Sequence, residues 1–508
     1  MAAKYQNPVL PGTHPDPSVC RVGDDYYLVV SSFEYFPGVP IFHSKDLVHY
    51  RQLGYVLTRE SQLSLAKSKS SQGVFAATIR HHDGVFYVVT TDVAENCSFY
   101  VTATDPAGPW SEPLRVKEDV FTMDPSLFFD DDGRVYYTRH GELRDGAIFQ
   151  AGIDISTGKL LEAPRQIWRG TGGIWPEGPH LYKVDGTYYL MISEGGTSYD
   201  HMITVARSAS PFGPFEAFEN NPVLTHRDLP AHPIQATGHA DLVQTQEGHW
   251  WMVLLGIRPS TERHHHIGRE TFLAPVTWKD GWPVVNAGKP LELIMSGEGL
   301  PPTHPFEAES ERDEFDETEL RVAWRYVRNP ALKNYSLSER PGFLRLFGTN
   351  ISMSDVGSPT LVVRPQTSLR TRIATELHIE PKTRQLAGLV VRGNEDNHYQ
   401  LLVEGLGAPG ERAVVLRTRI DGKSEDVARR ALNPGPVTLT VQGEKSHYSF
   451  SFSAGGGAPV TLGSAPTSSF GFEKTGSFTG AFVGLYAHCD GPSPAPADFA
   501  WFEMKSIR

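Results

Sequence analysis

An acidic turn followed by adjacent aromatics occurs five times in the first 251 residues, and this repeat limits the fold more than any other feature of the chain. The copies are Asp24-Asp25-Tyr26-Tyr27, Asp83-Gly84-Val85-Phe86-Tyr87, Asp132-Gly133-Arg134-Val135-Tyr136-Tyr137, Asp185-Gly186-Thr187-Tyr188-Tyr189 and Glu247-Gly248-His249-Trp250-Trp251. Tyr26, Phe86, Tyr136, Tyr188 and Trp250 follow one another at intervals of 60, 50, 52 and 62 residues. Each copy reads as a hairpin: a polar turn, then an aromatic, β-branched strand such as Tyr26-Tyr27-Leu28-Val29-Val30. Helical periodicity is nearly absent. Units of this length built from short strands predict an all-β chain whose first part is a five-bladed β-propeller. A β-sandwich or β-helix is the alternative.

The innermost strand of each blade runs along the central channel. The residues one strand upstream of the hairpins should therefore form a ring at one mouth. They are Asp16, Ala76, Asp124, Glu177 and His239. Each acid alone reads as an ordinary turn residue, because Asp-Pro-Ser is common turn sequence. Three acids at equivalent places read differently, since facing carboxyls raise one another's pKa and oppose folding. Glycoside hydrolysis needs two carboxyls across the scissile bond, and a third can hold the donor's proton. Glu177 lies in Trp175-Pro176-Glu177-Gly178-Pro179, a stiff segment with an indole beside the acid. Trp175 is expected to keep that acid in a partly dry place, where it holds its proton.

The net charge is −12, from 47 basic and 59 acidic side chains, which argues against nucleic-acid or anionic-membrane partners. Cys20, Cys97 and Cys489 make neither a disulfide framework nor a zinc knuckle. The first residues carry no apolar leader, so the expected location is cytoplasmic, or secreted after loss of a signal peptide. A homo-oligomer is left open.

The chain resembles glycoside hydrolase family 43, and within it the β-xylosidases. The resemblance rests on Gly12-Thr13-His14-Pro15-Asp16-Pro17-Ser18, Ser31-Ser32-Phe33-Glu34-Tyr35-Phe36-Pro37-Gly38, Met123-Asp124-Pro125-Ser126, Trp175-Pro176-Glu177-Gly178-Pro179, Gly238-His239-Ala240-Asp241-Leu242 and Gly268-Arg269-Glu270-Thr271-Phe272. It implies hydrolysis with inversion: Asp16 as general base, Glu177 as general acid, and Asp124 keeping the acid's pKa up and aligning it. The Asp16 and Glu177 carboxyls would then stand about 6.5–9.5 Å apart to admit a water. Phe33 is expected to wall the sugar pocket, with Thr197 and Arg269 contacting the sugar. Similar enzymes commonly carry Trp-Ala-Pro where this chain has Phe75-Ala76-Ala77. Phe75 keeps the apolar wall but lacks the indole area and N–H, so a furanose fits as readily as a xylopyranose. His239 is either a channel histidine or a ligand, through waters, of a channel calcium; no cofactor is otherwise required. His264-His265-His266 reads as a loop near the sugar site, with metal binding as its lesser reading.

The pattern changes at a Pro-rich stretch. The expected division is residues 1–295 for the propeller, 296–312 for a linker and 313–508 for a β-sandwich. Short apolar strands such as Ala387-Gly388-Leu389-Val390-Val391 carry that last reading. They resemble the concanavalin A-like domain of the β-xylosidases, which packs on the propeller and lends an aromatic to the pocket. Phe478 is the candidate, against a reading as a core residue. The resemblance implies an exo-acting β-D-xylosidase on β-1,4-xylooligosaccharides, with α-L-arabinofuranosidase activity alongside it. A dedicated arabinofuranosidase or arabinanase, and a sugar-binding propeller without catalysis, are the alternatives.

Overall fold

A computed structural model describes residues 4–117, 119, 122–141, 146–261, 263–408, 410–491 and 494–507. Five antiparallel sheets come first, one for each turn-aromatic repeat. Their leading strands are Ser18–Val22, Thr78–His82, Met123–Phe129, Glu177–Val184 and Gln235–Gln244. Each pairs with the strand that carries the aromatics: Asp25–Val29, Val85–Asp92, Val135–Gly141, Thr187–Glu194 and Trp250–Ile257. Asp83-Gly84 and Asp185-Gly186 turn with φ of 48° and 78°, and of 48° and 79°. Both residues of such a two-residue hairpin need positive φ, which is why an acid followed by glycine recurs there.

The aromatic pairs fill the seams between blades. Neighbouring residues of a strand point to opposite faces, so one ring packs toward the preceding blade and the next toward the following one. Tyr26 and Trp251 share the core that joins blades 5 and 1. Phe86 is buried between blades 1 and 2, and Tyr137 between 2 and 3. Tyr188 and its neighbour Tyr189 close the two seams of blade 4. The ring is tied shut by the N-terminal segment. Lys4–Gln6 pairs with Ile294–Ser296, and the Asn7 side chain donates to Leu273 O and accepts from Leu273 N–H, both at 2.9 Å.

The C-terminal part is two eight-stranded antiparallel sheets packed face to face. Between them lies a core that includes Phe315, Trp324, Tyr399, Phe450, Leu485 and Phe502. Its first strand, Arg312–Asp313, pairs with the final strand, Ala497–Ser506. One strand crosses the division by residue number. Tyr35–Phe36, inside blade 1, pairs antiparallel with Arg325–Val327 and becomes the edge of a sandwich sheet. A shared sheet satisfies an edge that would otherwise be open, and it fixes the two domains together.

Buried charge continues this junction. Arg392, 1% exposed, donates to Glu34 Oε1 at 3.1 Å, Tyr35 Oη at 2.9 Å and Ser70 Oγ at 2.8 Å. Arg328 reaches Ser68 O at 2.5 Å and also bonds Glu395. Gly480 of the sandwich lies against Gly268 of blade 5; a Cβ on Gly480 would stand 2.2 Å from the Gly268 nitrogen. Only glycine permits that approach.

Candidate active site

The leading strands of three blades begin with irregular backbone, and this aims their side chains. Asp16, Asp124 and His239 have φ of 56°, 53° and 45°, in the left-handed region. Such residues cost about 1–3 kcal/mol each and gather at functional sites. In blade 4 the same kink falls on Trp175 and Gly178, with φ of 53° and 57°. Ladder register breaks between Met123 and Ser126, between Glu177 and His180, and on both sides of Gly238. Bulges of this kind re-aim side chains next to active sites.

The result is a cavity of about 410 Å³ at the channel mouth. Asp16, Ala76, Asp124, Glu177 and His239 all line it, as do Phe33, Phe75, Thr197, Arg269 and Phe478. These ten candidates thus come to one place, whereas His264, His265 and His266 do not line it.

Asp16 is 5% exposed and fully engaged. Its Oδ2 accepts from Ser31 Oγ at 2.5 Å and its Oδ1 from Arg269 Nη1 at 2.8 Å. His239 Nδ1 lies 3.6 Å from Oδ1. Burial pushes this carboxyl up, but Arg269, His239 and the Ser31 hydroxyl together hold it below the usual carboxylate range. Asp124 is the opposite case. Burial first, then the charges of Glu177 and Asp16, push it well above that range. Its Oδ2 accepts the Gly178 N–H at 3.1 Å, so it holds the backbone beside Glu177. The two aspartates are therefore pushed apart, Asp16 toward the ionised form and Asp124 toward the protonated one.

Glu177 starts its strand at the cavity wall, its side chain 14% exposed. Trp175 does not dry it. The indole is 40% exposed at the cavity rim, beside Ile174 at 65%. Behind the acid stands His201, fully buried, with Nε2 3.3 Å from Glu177 Oε1. His140 Nδ1–H donates to Pro176 O at 2.6 Å from below.

The apolar wall is assembled from both domains. Phe33, Phe75 and Phe478 form a triangle with ring centroids 5.6, 5.8 and 6.0 Å apart. Phe472 stacks behind Phe478. Arg269 lies 5.5 Å from both Phe33 and Phe478, donates to Thr197 Oγ1 at 3.1 Å, and donates from Nε to Phe478 O at 3.2 Å. Phe478 is thus a pocket residue and not part of the sandwich core. His201 and Phe472 were not among the candidates read from the sequence. No local motif marks either one, and Phe472 enters only because the domains meet here.

The protein itself offers few free oxygens to a channel calcium beside His239. Calcium takes six to eight oxygen ligands. The carboxylate nearest His239 is Asp16, already committed to Ser31 and Arg269. Deeper in the channel a cation is built in. Arg80 Nη1 sits 2.7 Å from Asp241 Oδ2, and Arg80 Nη2 lies 3.0 Å from His180 Nδ1. Ser18 Oγ and Tyr182 Oη donate to Asp241 at 2.6 Å each. Among the described residues no group of three His, Cys, Asp or Glu side chains converges as a metal site. The histidine run faces the sandwich instead: His265 Nδ1 pairs with Glu473 Oε1 at 2.8 Å, and His266 packs edge-on against Tyr448.

Three carboxyls converging in an aromatic-walled pocket fit a glycoside hydrolase. The chain belongs to glycosyl hydrolases family 43, whose family model matches residues 5–283. A second model, the beta xylosidase C-terminal concanavalin A-like domain, matches residues 312–505. The chain is 42% identical to the non-reducing end alpha-L-arabinofuranosidase BoGH43B of Bacteroides ovatus, over 99% of this chain and 95% of that protein. It is 40% identical to a xylosidase/arabinosidase of Butyrivibrio fibrisolvens, over 99% of each. The crystal structure of a xylan beta-1,4-xylosidase from Bacillus halodurans superposes with a TM-score of 0.93 at 35% identity, covering 99% of this chain and 100% of that one.

Proposed function

We propose that the protein is an inverting, exo-acting pentosidase. It releases xylose from the non-reducing end of β-1,4-xylooligosaccharides and also cleaves α-L-arabinofuranosides. One observation carries this reading: Asp16, Asp124 and Glu177 converge on one aromatic-walled cavity, where Arg269 and His239 hold Asp16 below the usual carboxylate range while burial and the neighbouring acids raise Asp124. Water bound at Asp16 gives its proton to that carboxylate as its oxygen attacks the anomeric carbon. The bond from that carbon to the leaving oxygen breaks, and Glu177 delivers a proton to the departing oxygen. Asp124 sits deeper and fixes the backbone of Gly178, so Glu177 is the member placed to reach the substrate. A single displacement of this kind inverts the anomeric centre.

The choice of exo action rests on the wall from the second domain. Phe472 and Phe478 stand across one side of the cavity, where a long polymer would have to pass. A dedicated arabinofuranosidase is the second reading. Phe75 favours it, because a phenyl ring fills less of the pocket than an indole, and so does the B. ovatus relative's name. Rates on nitrophenyl β-D-xyloside and nitrophenyl α-L-arabinofuranoside separate the two. Cleavage of both, with release of the inverted sugar seen by NMR, is expected. Turnover of neither, or retention of configuration, overturns the proposal.

A further inference from the structure

His201 has no part in the chemistry above, yet it is placed as if it had one. It precedes the strand Met202–Ser208 of blade 4 and is 0% exposed. Its backbone is pinned, N–H to Ser198 O at 3.0 Å and O from Thr225 Oγ1 at 3.0 Å. Among the described residues neither ring nitrogen has a hydrogen-bond partner. A buried imidazole without partners is costly, and such groups call for an explanation. An acceptor, Glu177 Oε1, lies 3.3 Å from Nε2. The two groups are within reach but not aligned as a formed bond, as catalytic contacts often are before substrate binds. The ring is seated on Gly238, where a Cβ would lie 2.1 Å from His201 Cε1. The bulged strand that presents His239 therefore also makes the slot for His201.

We infer that His201 is a positioning residue for the general acid, an inference that rests on the proposed role of Glu177. The ring, with a proton on Nε2, donates to the Glu177 carboxylate as that group loses its proton to the leaving oxygen. The imidazole proton stays on His201 throughout; only the Glu177 proton is transferred. The charged neighbours around it are Glu177, Asp16 and His239. A fixed donor aimed at a carboxylate that becomes charged during the reaction favours the transition state over the ground state.

The test uses the full chain and a series of glycosides of the cleaved pentose, from dinitrophenyl through nitrophenyl and phenyl to the disaccharide. Activated phenols need little protonation; a sugar leaving group needs it fully. His201→Leu should lose little on the dinitrophenyl glycoside and about 10- to 100-fold in kcat on the disaccharide, the scale of one hydrogen bond to a charged group. His201→Gln, whose amide N–H can stand near Nε2, should recover most of that loss. Gly238→Ala, which displaces the ring without removing it, should show the same dependence and serves if His201→Leu does not fold. A uniform loss across the series, or none, overturns the inference. Glu177→Gln run beside it distinguishes the two failures. A steep dependence there with a flat one in the His201 variants refutes only His201, whereas a flat profile for Glu177→Gln refutes the acid assignment itself.

Discussion

Arg269 Nη1 donates to Asp16 Oδ1 at 2.8 Å, joining residues 253 positions apart, and both side chains are less than a tenth exposed. The pair decides the charge of the base. Burial by itself would protonate Asp16; the guanidinium, with His239 and Ser31, prevents it. The sign follows directly. A depressed carboxylate serves as base at every pH above its lowered pKa, and it fails as pH falls through that value. Arg269→Met leaves burial unopposed, so the acid limb of kcat/KM should move to higher pH. At about pH 5 the loss should be about 10- to 100-fold, the worth of a charge-assisted hydrogen bond. Arg269→Lys should fall between, since it keeps the charge and loses the fork. A limb that stays in place in both variants would show that Arg269 only contacts sugar.

Phe478→Ala tests whether the second domain belongs to the active site. The ring closes the triangle with Phe33 and Phe75 and is backed by Phe472. Losing a buried phenyl against substrate costs about 1.5–3 kcal/mol, so kcat/KM should drop about 10- to 100-fold. The melting temperature should change little, because the side chain is only partly buried in the free protein. Wild-type kinetics in a folded Phe478→Ala variant would remove the sandwich from the pocket.

Much of this was readable before any coordinates, for a reason that concerns periodicity. The five acidic turns mark blade starts because the paired rings after them must fill two seams each. Counting back one strand from those rings reaches Asp16, Asp124, Glu177 and His239. A repeat carries position with it, so residues far apart in the chain could be placed together. What was not readable depends on contacts outside the repeat. The pairing of Tyr35–Phe36 with Arg325–Val327 joins segments about 290 residues apart through backbone groups, and side-chain identity says nothing about that. Trp175 is expected to shelter Glu177; its indole is instead 40% exposed, on a backbone of positive φ that residue type does not reveal. His201 lies in Gly195-Gly196-Thr197-Ser198-Tyr199-Asp200-His201, and Gly238 of the adjoining blade makes room for its ring.

Glu473 gives the domain junction a pH dependence. It accepts from Tyr199 Oη and His265 Nδ1, both at 2.8 Å, and is held at about 2 against an ordinary 4.5, burial being outweighed chiefly by His265. A carboxylate depressed this far contributes on the order of 3 kcal/mol, its side chain being 17% exposed. That contribution is present above pH about 4.5 and fades as pH falls toward 2. Glu473→Gln should therefore unfold at lower temperature than wild type near neutrality, with the gap narrowing below pH about 4.5. A gap that is constant across that window in calorimetry would assign the loss to packing instead of charge.

The channel pair of Arg80 and Asp241 bears on metal dependence. Asp241 is 0% exposed and held far below the usual range, burial being overcome by Arg80 and then His180. With a guanidinium already neutralising the channel, a chelator should leave both kcat/KM and the melting temperature where they were. Arg80→Met should be costly, because it strands an ionised Asp241 with no cation, a loss of about 3–5 kcal/mol for one partner of a buried pair. Arg80→Met combined with Asp241→Asn should recover part of it, since no bare charge then remains. The measurements are thermal unfolding and initial rates with and without EDTA. Activity that falls on chelation and returns with calcium would mean that an ion, and not Arg80, balances the channel.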